Sequence, residues 1–115
     1  MDNSNSWRGY PQEIIDEVEN IKAQIISACN PEKIIVFGSI AKGIIKPDSD
    51  VDLCVVMDFK NKLAEAAKIQ LQLEAERPVD LMLYTPRQWE KCKEDLSTFA
   101  YHINREGIHL YDRQR

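Results

Sequence analysis

Stretches with a helix's apolar period take turns with short β-branched runs along this chain of 115 residues, and that alternation leaves few folds open. Between residue 11 and about residue 29, Ile14, Val18, Ile21, Ile25 and Ala28 recur at helical spacing. Pro11 suits a first turn there, and Asn30-Pro31 serves as the stop. Residues 33–37 are apolar on both faces and end at Gly38, as a doubly covered strand does. After a loop over 43–49, residues 51–57 read as a second strand. Residues 62–76 read as a helix with Leu63, Ala67 and Leu71 on its inner face, broken by Arg77-Pro78. Residues 79–84 make a third strand. Thr85, Pro86 and Gln88 form a capping-box pattern opening a last helix to about residue 105, with Trp89, Cys92, Leu96, Phe99 and Ile103 as its stripe. Gly107 is placed to end it, leaving IHLY as a final strand or an extended tail. The order predicts an α/β layer structure, a small mixed β-sheet flanked by helices.

The length suits one domain with a real core, expected over residues 11–115, with the polar residues 1–10 as a flexible N-terminal tail. No apolar run approaches the roughly 20 residues that span a bilayer, and the start carries no apolar signal segment. A cytoplasmic protein without a membrane partner is the expectation. Cys29, Cys54 and Cys92 are odd in number and lack CxxC spacing, which argues against a disulfide framework or a zinc site and leaves them as small buried residues. A net charge of −4 argues against stable nucleic-acid binding, which draws on a basic face. Lys42, Lys46, Lys60 and Lys62 read as solvated surface.

The chemistry concentrates in three aspartates. Asp50 and Asp52 stand one residue apart in DSDVDL, so on a strand both side chains point the same way. Adjacent carboxylates repel unless a cation sits between them, and Mg²⁺ takes one or two carboxylates while substrate phosphates supply further oxygens. Asp80 opens the next strand and faces Asp52 if the two strands are neighbours. Gly38-Ser39 ends the first strand before a short helical turn, where backbone N–H groups and a hydroxyl approach a phosphate closely. His102 and His109 have no ligand partner at hand and read as surface or packing residues.

The stretch GSIAKGIIKPDSDVDL resembles the signature of the nucleotidyltransferase superfamily that includes DNA polymerase beta, with its palm-like fold. The small size, the PVDLMLYTP segment and the REGIHLY ending are similar to its minimal nucleotidyltransferase (MNT) family. The resemblance implies that Gly38 and Ser39 hold the β- and γ-phosphates of ATP, with Lys42 and Ser49 as further binders. It implies that Asp50 and Asp52 ligate two Mg²⁺ ions, and that Asp80 ligates the catalytic one and helps draw the proton from the attacking hydroxyl. Lys42 stands where the family usually has arginine, and lysine brings charge without the planar fork.

Three functions follow from the resemblance. The first is an enzyme that transfers AMP from ATP to a hydroxyl, a tyrosine, of a helical HEPN-domain toxin, acting as its antitoxin in a hetero-oligomer. The second is an antitoxin that neutralises the same partner by binding alone, which an exposed apolar strip would favour. The third is a stand-alone transferase acting on a small aminoglycoside-like alcohol.

Overall fold

The computed structural model describes residues 7–114. Its elements run α1 (Gln12–Cys29), β1 (Lys33–Phe37), α2 (Gly38–Ala41), β2 (Val51–Val56), α3 (Lys62–Gln72), β3 (Val79–Tyr84), α4 (Pro86–Cys92), α5 (Phe99–Glu106) and β4 (Ile108–Asp112). The strands form one sheet ordered β3-β2-β1-β4. β1 is antiparallel to both β2 and β4, whereas β2 and β3 are parallel, so the sheet is mixed as expected. Parallel neighbours cannot be joined by a tight turn, and α3 carries the crossover between them.

Each inner strand feeds two cores, because successive side chains leave a strand on opposite faces. Ile34, Val36, Leu53 and Val55 pack with Ile14, Val18, Ile21 and Ile25 of α1 and Ile69 of α3. Ile35, Cys54 and Val56 pack on the other face with Trp89 of α4 and Ala100 and Ile103 of α5. Burial on both sides accounts for the unbroken apolar run of β1. Gly107 closes this layer, since a Cβ there would collide with Ile35 and with the backbone of Val36 and Ile103. Cys54 is buried and Cys29 and Cys92 are partly buried, all three as free thiols. Burial pushes Cys54 up to about 12 and Cys29 up to about 11, which leaves both protonated and unreactive.

Three expectations change. Leu63 and Leu71 lie outside the core, 82% and 88% exposed, and α3 instead turns Ile69 inward with Ala66 and Leu73 partly buried beside it. Two apolar stripes coexist on this short helix, and spacing alone cannot choose between them. α3 also stops at Gln72, because side chains of α1 capture the chain that follows. The Gln24 amide bonds both the N–H and the carbonyl of Glu74, and Glu17 accepts from the N–H groups of Glu76 and Arg77.

The expected last helix is two helices. Asp95 accepts from the Ser97 N–H and hydroxyl, and Thr98 caps α5 by accepting from the Tyr101 N–H. These local bonds break the helix, so Leu96 and Phe99 of the expected stripe are exposed rather than buried. The capping box at Thr85 and Gln88 is present at the start of α4.

Of the expected tail, residues 1–6 lie outside the described residues. Trp7 is buried against the main core and packs edge-on against Tyr10, with ring centroids 5.1 Å apart. The Tyr10 hydroxyl donates to the carbonyls of Ile40 and Ala41, so residues 7–10 brace α2 from behind. Among the described residues, no helix is long and apolar enough to cross a membrane.

Candidate active site

Phe37 on β1, Asp52 on β2 and Asp80 on β3 are consecutive cross-strand partners, forming one row across three strands. They share the sheet face of Ile35, Cys54 and Val56, the face on which α4 and α5 pack. β1 ends and β2 begins at this row, so it lies at the sheet's rim. Chain direction thus places a site here: two strands open with an aspartate, and the third closes on the turn into α2.

That turn is tight for a reason. Gly38 holds φ at +73°, which side-chain-bearing residues rarely adopt, and a Cβ on it would overlap the Asp52 carboxylate. Ser39 follows in the first turn of α2, where backbone N–H groups have no intrahelical partner. The turn therefore sets the Gly38 backbone against the Asp52 carboxylate.

Burial first, then the hydrogen bond and charge of Asp80 and the charge of Asp50, push the Asp52 carboxyl up to about 6. Two carboxyls that share a hydrogen bond hold a proton between them, and a divalent cation stabilises the same pair without it. The donor set fits Mg²⁺, an ion satisfied by one or two carboxylates and completed by phosphate oxygens and water. Among the described residues, no three His, Cys, Asp or Glu side chains gather as a ready metal cage. The structure brings Asp52 and Asp80 into contact, while Asp50 stands exposed one residue before β2 and acts on Asp52 through its charge. When bound, Mg²⁺ would neutralise the carboxylates and polarise phosphoryl oxygens.

The remaining expected binders divide. Lys42 is exposed at the end of α2 and borders the same hollow as Gly38 and Asp52. Ser49 instead serves the loop, where its hydroxyl accepts from the Lys46 N–H. His102 lies 3.6 Å from Glu106 on α5, and His109 is bonded to the Asn104 carbonyl.

Two features escaped the sequence reading. Arg77 donates to the carbonyls of Lys46 and Ser49 at 3.0 and 3.1 Å, and so pins the loop that delivers Asp50 to the chain that delivers Asp80. A cavity of about 300 Å³ opens beside Asp52, with Phe99 in its wall. A Gly-Ser turn and an aspartate pair can be read from spacing, but a fold-back of α5 onto the end of β1 cannot. Larger hollows, about 510 and 730 Å³, lie by Lys33 and His109 and by Arg8 and Arg77, and none of the three aspartates lines either.

A mixed sheet that sets two carboxylates in parallel register beside a left-handed glycine turn defines a class of small domain that handles phosphates over paired acidic ligands. The chain belongs to the polymerase beta nucleotidyltransferase family, whose model, described as "Polymerase beta, Nucleotidyltransferase", matches residues 19–115. Nucleotidyl transfer is the general chemistry of that family, drawn generally from a nucleoside triphosphate with Mg²⁺. The fold is also similar to a crystal structure from Sulfolobus solfataricus, described provisionally as a nucleotidyltransferase. That chain is 15% identical with a TM-score of 0.62, over 90% of this chain and 84% of the other. No curated protein matches this sequence.

Proposed function

We propose that this protein transfers AMP from ATP to a tyrosine hydroxyl of a helical HEPN-domain toxin, and so acts as its antitoxin in a complex of the two. The observation that carries the reading is the Asp52–Asp80 pair beside the Gly38 turn. Gly38 and Ser39 would hold the β- and γ-phosphates, with two Mg²⁺ ions held by Asp50, Asp52 and Asp80. Asp80 is exposed, so an acceptor hydroxyl reaches it from outside the domain, as a side chain on a protein partner would. There Asp80 would accept the hydroxyl's proton as that oxygen attacks the α-phosphorus and pyrophosphate leaves. The experiment is label transfer: ATP labelled at the α-phosphate, Mg²⁺ and the co-expressed partner, followed by mapping of the modified residue. Label on a partner tyrosine, lost with Asp50→Asn/Asp52→Asn, supports the reading. A partner that stays unlabelled while this chain binds ATP overturns it.

One observation favours neutralisation by binding alone. Leu63 and Leu71 form an exposed apolar strip on α3, one helical face with Ala67 between them. If Asp50→Asn/Asp52→Asn still neutralises the partner and Leu63→Gln/Leu71→Gln does not, the strip rather than the chemistry is the antitoxin.

A further inference from the structure

We infer that the cavity beside Asp52 is a nucleobase subsite in which Phe99 stacks on the base and Glu106 accepts a hydrogen bond from its amino group. This deepens the nucleotidyl-transfer reading of the same site and rests on it.

The cavity is continuous with the phosphate turn, since Gly38, Lys42 and Asp52 line one end of it. The rest of its lining comes mainly from α5, with Phe99, His102 and Glu106. A ligand held by its phosphates at Gly38 therefore extends its remaining part toward α5. About 300 Å³ lies at the small end of ligand pockets, enough for one nucleoside-sized group and far too little for a protein segment.

The strand order decides which part of the reaction lies there. Along the row, Asp80 stands on one side of Asp52 and Phe37 on the other. Asp80 does not line the cavity. The acceptor hydroxyl belongs with Asp80, so the cavity on the β1 side belongs to the nucleotide.

Its chemistry fits a base. Phe99 is 51% exposed, a poor place for a large apolar ring unless something covers it. Phe37 meets it at right angles with centroids 5.5 Å apart, which fixes the Phe99 ring without burying it. An aromatic ring held this way stacks with any base, while a carboxylate at the rim favours bases that carry an exocyclic amine. Glu106 supplies that acceptor. ATP is thereby preferred to UTP, whose base has no exocyclic amine and whose one edge donor, N3–H, sits between two carbonyls that repel a carboxylate.

The test compares two probes on the intact protein by titration calorimetry: Mg²⁺ with ATP, and Mg²⁺ with inorganic tripolyphosphate. Tripolyphosphate occupies the phosphate turn and leaves the cavity empty. Phe99→Ala weakens ATP binding on the order of tenfold or more and leaves tripolyphosphate unchanged, whereas Phe99→Trp keeps the stack and the affinity. Glu106→Ala weakens ATP and narrows its preference over UTP, again without weakening tripolyphosphate. An Ala variant that binds ATP as well as the wild type overturns the subsite, as does an equal loss for both probes. A wild type that binds tripolyphosphate and ATP with equal affinity also overturns it. A wild type that binds neither probe refutes the nucleotide reading itself, and the subsite with it.

Discussion

Asp52 and Asp80 are direct partners in the parallel register of β2 and β3, close enough that the Asp80 carboxyl helps hold the proton on Asp52. An isolated pair of this kind is unfavourable once both groups ionise, so its presence at the rim of a well-packed sheet points to a ligand that offsets the repulsion.

The pair fixes how metal-free stability varies with pH. The folded state holds the Asp52 proton up to about 6, against 3.8 for an ordinary aspartate. A raised acid pKa means that the folded state binds more protons than the unfolded state across that window, so stability falls as pH rises from about 4 to about 6. Asp52→Asn removes the charge and keeps the shape. In chelator-treated protein it raises the melting temperature at pH 7 to 8 and has no effect below pH 4. A destabilised Asn variant at neutral pH would count against the crowding.

Gly38→Ala strains the turn twice, through its positive φ and through overlap with the Asp52 carboxylate. Strain of this kind costs about 1–3 kcal/mol, read from the denaturant midpoint. On the proposed reading the displaced groups hold the phosphates and a metal ion, so ATP binding falls further than stability alone explains. A variant with wild-type stability and binding would remove the turn from the site.

Arg77 ties residues 46–49 to the start of β3. Arg77→Ala should cost about 1–2 kcal/mol of stability, the scale of charge-assisted hydrogen bonds at a partly exposed site. It should also speed amide hydrogen exchange at Ser49 and Asp50 and weaken Mg²⁺-dependent ATP binding. Both bonds leave from Nη1 alone, so Arg77→Lys, whose ammonium carries three N–H donors, should recover part of each effect. Unchanged exchange in the Ala variant would show that the loop holds itself.

The two stripes of α3 can be separated by mutation. Ile69 is 1% exposed, so Ile69→Ala should cost about 2–5 kcal/mol. Leu63→Gln and Leu71→Gln should each stay within about 0.5 kcal/mol of wild type in urea unfolding. A large loss at Leu63 or Leu71 would return them to the core.

The contrast on α3 shows where sequence reasoning stops. Lys33–Phe37 and Val79–Tyr84 were legible to the residue, since an apolar run bounded by Gly38 or by proline has one reading as a strand. The Asp52–Asp80 pairing was legible because strand periodicity puts each aspartate on one alternating face, and only the neighbourhood of β2 and β3 had to be assumed; Asp50, expected beside Asp52 on the strand, stands exposed one residue before it. The inner face of α3 was not legible, because two apolar stripes competed and packing against α1 and β3 chose between them. The break at Asp95 was hidden for a different reason. Apolar residues at helical spacing run straight through it, and the side-chain bonds of Asp95 and Thr98 outweigh that pattern. Phe99 follows from the same break: read as core, it stands instead at the mouth of the site.

The most direct test of the central claim is the melting temperature of the chain with millimolar ATP, with and without Mg²⁺, beside Asp50→Asn/Asp52→Asn. A ligand bound only by the folded state raises the transition. The account predicts a rise that needs Mg²⁺ and is lost in the double variant. An identical melting temperature in all four conditions, or a rise that the variant keeps in full, would contradict a triphosphate site built on Asp52 and Asp80.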